Sequence, residues 1–227
     1  DLVELMSALS LKRFNAPSFT LHPNSSMDQE KLVELIQNRR TRKPASFNAG
    51  VPIDTITQII KSARHAPNHH RTEPARFYLL NRDKITQVAQ LMAEMIKGKG
   101  QDTILVERAL KKEKEWSNAP GLLVVTSFSD SNSVLFSKNQ NLIEENYATT
   151  CCIIQNLLLL FEASKISAKW STASVWNHPR FKKTIGLKYP KDEKFVGLIF
   201  YGYSDHESAI RVLSPLENQL VDYSGES

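Results

Sequence analysis

Between Tyr147 and Phe161, apolar side chains occupy two adjoining faces of one helix, and such a helix has to lie inside something. Tyr147, Cys151, Ile154, Leu158 and Phe161 form a seam with 4-3-4-3 spacing, while Ile153, Leu157 and Leu160 line the neighbouring face. A single apolar stripe serves a helix resting on a core; two stripes put it in the core, at a subunit interface, or in both. It is not a membrane span, because the richest stretch, Cys151 to Phe161, is interrupted by Gln155 and Asn156 and falls short of the ~20 residues a bilayer requires. A chain of 227 residues can wrap one substantial core around it, or at most two small ones.

The remaining segments supply that wrapping. Leu32, Leu35 and Ile36 share a face of a helix that starts near Asp28 and stops before Pro44. A second helix follows Pro52, with Ile53, Ile56, Ile60 and Ala63 on one side, and closes at Ala66-Pro67-Asn68. Ile85 to Lys97 and Thr103 to Trp116 read as two surface helices parted by Gly98 and Gly100. Leu122 to Thr126 is a continuous apolar run, the pattern of a strand covered on both sides. Arg76 to Leu80, Ala168 to Trp170 and Phe195 to Tyr203 also read as strands, and the tail from Arg211 shows little periodicity. Strands do not alternate one-for-one with helices, so the expected class is α+β, a sheet covered by helices, and not a doubly wound parallel sheet. Residues 1–26, rich in Ser, Asn and Pro without a secretory cleavage pattern, are expected to be an arm or extension; 27–227 are expected to form a single domain.

Charge and cysteine usage exclude more than they assign. Lys+Arg number 29 against 24 Asp+Glu, a net charge of +5 that suits a phosphate-bearing small ligand as well as a nucleic acid, so nucleic acid is not expected. Cys151 and Cys152 are adjacent, a poor geometry for a disulfide, and are expected to be two small buried side chains in a reducing, cytoplasmic setting; an organelle fits if residues 1–26 derive from a targeting segment. There is no G-x-G-x-x-G fingerprint, P-loop, H-E-x-x-H or G-x-S-x-G elbow, and only eight glycines occur. A nicotinamide coenzyme held by a Rossmann loop is therefore not expected.

Three segments carry chemistry-bearing residues. Arg39, Arg40, Thr41 and Lys43 stand where a helix gives way to a loop, and guanidinium forks with a hydroxyl suit a phosphate monoester; a solvated charge run or a nuclear-localisation-like patch reads the same. The turn 66–77 contains His69 and His70, but neighbouring side chains do not easily converge on one ion without further ligands, so no metal is expected. Trp170-Ser171-Thr172 is either a turn or a set of donors for a ring or phosphate.

Taken in order, these segments resemble the nitroreductase family, especially its small bacterial-type branch. Arg39-Arg40-Thr41-Arg42-Lys43 matches an R-R-S-x-R/K pattern, and Ala66-Pro67 with Glu73-Pro74-Ala75-Arg76-Phe77 matches an A-P-x-x-x-x-Q-P-W-x-F-type turn. Gln155-Asn156-Leu157-Leu158, the segment Ser167 to Ala173 and the strand ending at Gly202 follow in register over about residues 28–215. The resemblance implies a mainly antiparallel sheet, a long buried helix at a homodimer interface, and flavin mononucleotide (FMN) held by both chains. It also implies hydride transfer from NAD(P)H to a nitroaromatic, quinone or similar small-molecule acceptor; dehalogenase or oxidase variants, or a flavin-binding dimer without reductase activity, share the scaffold. No protein nucleophile or acid/base dyad is needed, since the flavin carries the reaction. By resemblance, Arg39, Arg40, Thr41 and Lys43 contact the flavin from one side, Trp170, Ser171 and Thr172 from another, and His65 and His69 complete the site, His69 from the second subunit. Arg71, Glu73 and Ala75 depart from the pattern's Asn, Gln and Trp, and Glu73 when ionised only accepts hydrogen bonds. These departures bear on the acceptor pocket.

Overall fold

A computed structural model describes residues 29–98, 102–206 and 211–225. The chain divides into two units, 1–34 and 35–227, and the expected arm at 1–26 lies outside the described residues. In order, the elements are α1 (Gln29–Asn38), α2 (Ile53–Ala63), β1 (Ala75–Leu79), α3 (Arg82–Lys97), α4 (Thr103–Ser117), β2 (Gly121–Phe128), α5 (Val134–Lys138), α6 (Leu142–Ala163), β3 (Ser167–Ser171), α7 (Phe181–Ile185) and β4 (Glu193–Gly202). The strands form one sheet in the order β1-β2-β4-β3, with every pairing antiparallel. The α+β class and the antiparallel sheet expected from the sequence are both present.

Why β2 reads as unbroken apolar sequence is now plain. Its alternating side chains point to opposite faces, and both faces are covered. Leu123 and Val125, with Ile199 and Tyr201 of β4, pack against α2 and α6 through Ile56, Ile59, Ile154, Leu157 and Phe161. Leu122 and Val124, with Leu198 and Phe200, pack on the other face against Val88, Leu91, Trp116, Phe181 and Ile185. The result is two apolar layers with the sheet between them.

Two sequence readings need correction. The helix α3 is more than a surface helix: it buries Ile85, Val88, Ala89, Leu91 and Ala93 because it closes the second layer, and only its neighbour α4 keeps a mostly solvated surface. The cysteines are not both buried. Cys151 is half-buried and Cys152 exposed, since Cys152 lies with Ala148 and Gln155 on the face of α6 turned from the sheet. The small helix α7 has no pattern long enough to be read from sequence. Among the described residues no helix is long and apolar enough to cross a membrane.

A β-bulge shapes the β3 side of the sheet. Register between β2 and β4 shifts after the Val125–Gly197 pair, so that Thr126 faces Phe195 and Val196 is passed over. The Val196 carbonyl accepts the indole N–H of Trp170 at 3.1 Å. A Cβ on Gly197 would lie 2.4 Å from Trp170 Nε1, so only glycine lets the indole lie this close.

Candidate functional site

The basic segment after α1 is laced to the sheet at two points. Thr41 bridges Ala168 in parallel, with the Arg42 amide donating to the Ala168 carbonyl at 3.0 Å, and Ala49 bridges Tyr203 beyond the end of β4. Pro44 sits buried at the start of a 3-10 turn, Pro44–Ser46, and fixes the bend between those anchors. Arg42 makes a two-pronged ion pair with Glu162 of α6, at 2.8 and 3.2 Å. That pair engages Arg42 internally and braces the loop; around it Arg39 and Arg40 are half-buried, and Thr41 and Lys43 exposed.

A cavity of about 480 Å³ is bounded by Arg40, Thr41, Arg42, Lys43, Ala45, Ser46 and His206. Burial pushes the Arg39 pKa down, opposed by Glu162 and reinforced by Arg40, Arg211 and Arg42. Burial also lowers Lys169, helped by Lys112 and Lys43 and opposed by Glu115. Positive charge thus accumulates where water is partly excluded, a setting that favours an anion. Arg211 and His206 are the residues sequence reasoning missed: both follow β4 in an aperiodic stretch, and only the folded path brings them beside Arg39 and the loop.

Trp170 is half-buried, and its only polar atom is committed to Val196. It stands on β3 next to Lys169, so it offers ring surface and positions its neighbours, while Ser171 is half-buried and Thr172 exposed. The hydroxyl pair continues the strand that Thr41 joins.

His65 and His69 lie elsewhere. His65 is exposed at the end of α2 and lines a larger cavity, about 800 Å³, with Ile60, Phe77, Leu79 and Ile153. Lys61, Arg64, Arg71 and Arg76 border the same space, with Glu73 paired to Arg64 at 2.7 Å. The two cavities are distinct within one chain. Cations border both, with Arg40, Arg42 and Lys43 around the smaller one. Arg71, Glu73 and Ala75, the three departures from the family pattern, all line the larger cavity.

The turn between α2 and β1 holds three non-glycine residues at positive φ: His70 at 59°, Arg71 at 53° and Glu73 at 45°. Each costs of order 1–2 kcal/mol. Side-chain bonds sustain it: Asn68 Oδ1 accepts the Thr72 amide at 3.1 Å, and the Thr72 hydroxyl donates to Asn146 Oδ1 at 2.6 Å. Asn146 is buried and its amide donates to Ser129 Oγ at 2.8 Å and the Phe128 carbonyl at 3.2 Å. The adjacent histidines have a third candidate ligand beside them. With His70 in the left-handed region, the two rings lie 4.0 Å apart and face Glu145.

Known proteins agree with this architecture. A Bacillus subtilis (strain 168) relative assigned by name to the NAD(P)H nitroreductases, YfhC, is 24% identical over 192 residues, covering 84% of this chain and 93% of its own. A nitroreductase-like family protein from Bacillus cereus superposes with a TM-score of 0.68 at 23% identity, over 86% of this chain and 96% of that one. The FMN-dependent nitroreductase NfnB from Mycobacterium smegmatis, solved with NADPH, gives a TM-score of 0.62 at 16% identity over 86% and 99%. Residues 36–203 match the nitroreductase family, and the chain belongs to it.

Proposed function

We propose that this chain is an FMN-dependent oxidoreductase that works as a homodimer and passes hydride from NAD(P)H to a nitroaromatic, quinone or similar acceptor. The observation carrying this reading is the cationic cavity beside β3, lined by Arg40, Thr41, Arg42 and Lys43, with Arg39 and Arg211 adding positive charge nearby and Glu162 paired to Arg42. Its donor set fits a phosphate monoester: guanidinium forks, a hydroxyl and an ammonium group on a loop anchored at both ends. When bound, FMN supplies the hydride-transfer chemistry.

The chain's own residues bind and orient. Arg39, Arg40 and Thr41 are the proposed contacts to the phosphate, ribityl chain or pyrimidine edge, with Lys43 in a lesser role and Arg211 adding positive potential. Trp170 provides ring surface held in place by the Val196 carbonyl, and Ser171 and Thr172 provide hydroxyl donors. His65 borders the separate, larger cavity, and the family resemblance brings His69 to the flavin from a second copy.

A dimer also accounts for apolar surface the single chain leaves bare. Val212 is 91% exposed, and Leu213, Leu216, Leu220, Val221 and Tyr223 all exceed half exposure. Ile143 and Cys152 add to this on α6. Monomers rarely leave so much apolar surface uncovered. The free thiols of Cys151 and Cys152 fit the proposed reducing, cytoplasmic setting.

The larger cavity, near the size of a small-molecule site, is the proposed acceptor pocket. Its bordering cations Lys61, Arg71 and Arg76 favour acceptors bearing an anionic group. YfhC's name and the NADPH held by NfnB support the nicotinamide as hydride donor. The test is anaerobic: add NADPH, then a quinone or nitroaromatic, to FMN-loaded protein. Bleaching of the flavin band followed by its return supports the reductase. A bound flavin that NADH and NADPH both leave unchanged identifies the second reading, a flavin-binding dimer without reductase activity, which the altered residues Arg71, Glu73 and Ala75 favour.

A further inference from the structure

We propose that His69, His70 and Glu145 form a binding site for a divalent transition metal of the zinc type. One imidazole nitrogen from each histidine and a carboxylate oxygen of Glu145 all lie within 4.8 Å of one another. Two histidines and a carboxylate are a set that zinc takes, with a further position left to water. Tetrahedral ligands about 2.0–2.2 Å from zinc stand roughly 3.4 Å apart. His70 Nε2 and Glu145 Oε2 are 4.0 Å apart, so small rotations of the exposed histidines and the half-buried Glu145 close the set.

The support around the trio resembles the outer shell of a metal site. Glu145 belongs to the first turn of α6, a 22-residue helix, and its amide donates to Asn141 O at 2.9 Å. The Asn139 amide nitrogen donates to Glu145 Oε2 at 2.9 Å and stands 3.4 Å from His70 Nε2. Asn139 Oδ1 takes the Asn141 amide at 2.9 Å, which sets which way the Asn139 amide points. Asn139 thus stands beside both the imidazole nitrogen and the carboxylate oxygen of the proposed site. Outer bonds of this kind hold ligands in orientation. The left-handed backbone at His70, sustained by Asn68, Thr72 and Asn146, is what turns two sequence neighbours toward one point. A filled site ties the turn that borders the larger cavity to α6.

The test uses the full-length protein, stripped with chelator and titrated with Zn²⁺ alone by calorimetry, and with Co²⁺ as a visible-absorption probe. Wild type is expected to bind one Zn²⁺ per chain, to melt at higher temperature with Zn²⁺ present, and to give d–d bands with Co²⁺. His70→Ala and Glu145→Gln are expected to weaken Zn²⁺ binding at least ~100-fold, since even outer-shell losses cost 10–100-fold. His65→Ala is expected to bind as wild type does. Glu145→Gln keeps an oxygen for Asn139, so it guards against simple misfolding. Ring-nitrogen NMR of the wild type is independent of any variant: Zn²⁺ is expected to shift the His69 and His70 signals and leave His65 in place. No Zn²⁺ binding by wild type, equal binding by both variants, or unmoved His69 and His70 signals would each overturn the proposal.

Discussion

Arg42 and Glu162 form a two-pronged ion pair, 2.8 and 3.2 Å long, that fastens the basic loop to the core helix α6. Each side chain is 17% exposed, so the pair is neither a loose surface contact nor a fully dry one. Glu162→Gln is expected to cost about 1–3 kcal/mol, the range for hydrogen bonds to charged groups. Urea unfolding measures it. A loss confined to a few tenths of a kcal/mol would mean that the loop stands without this brace.

Trp170 and Gly197 are coupled by space. Gly197→Ala drives a methyl into the indole at a nominal 2.4 Å, so it should destabilise by about 1–3 kcal/mol as overpacked substitutions do. In a Trp170→Ala background the same change should cost much less. The double-mutant cycle reads the coupling directly, and additive effects would show the indole is not the obstacle.

The α2–β1 turn depends on Asn146, a buried amide that touches Thr72, Ser129 and the Phe128 carbonyl. Asn146→Ala leaves those partners unmatched and should cost about 2–3 kcal/mol. Hydrogen exchange should then quicken at residues 68–73 more than in the sheet. Uniform acceleration across β1 to β4 instead would make Asn146 a general core residue.

Much of this architecture was legible beforehand, for physical reasons. The strand β2 and the helix α6 announced themselves because burial on two faces leaves no place for polar residues. The basic loop was legible as a cluster at a helix exit, since Pro44 marks the stop. What escaped depended on contacts distant in sequence. Arg211 lies 172 positions from Arg39, whose charge environment it shares. The meeting of His69, His70 and Glu145 needs a positive φ on a non-glycine residue, which no local pattern signals. Trp170 read equally well as a cofactor contact or a turn; the bulge at Val196 that occupies its indole arises from strand register, invisible in sequence.

Alkaline stability should reflect two phenols, Tyr201 buried and Tyr78 half-buried. Burial raises Tyr201 to about 12, and burial followed by the bond to Glu193 raises Tyr78 to about 12. Unfolded tyrosine ionises near 10. A folded value above the unfolded one means that the contribution is complete below pH ~10 and is lost as pH climbs toward 12. Tyr201→Phe should flatten the fall in stability across that window while leaving the pH 7–9 plateau level in shape. A tyrosinate absorbance titration of the wild type should show two late phenols; ionisation of all tyrosines near 10 would contradict this.

The central claim is that the Arg39–Arg40 corner holds the phosphate of FMN, and its most direct measurement is flavin affinity by fluorescence quenching. The Arg39→Ala/Arg40→Ala double variant, shown folded by circular dichroism, should bind FMN at least ~100-fold more weakly than wild type, as expected for losing two charge-assisted contacts. Riboflavin, which lacks the phosphate, should bind wild type and variant alike. An FMN affinity unchanged by the double substitution would contradict the account and place the phosphate elsewhere.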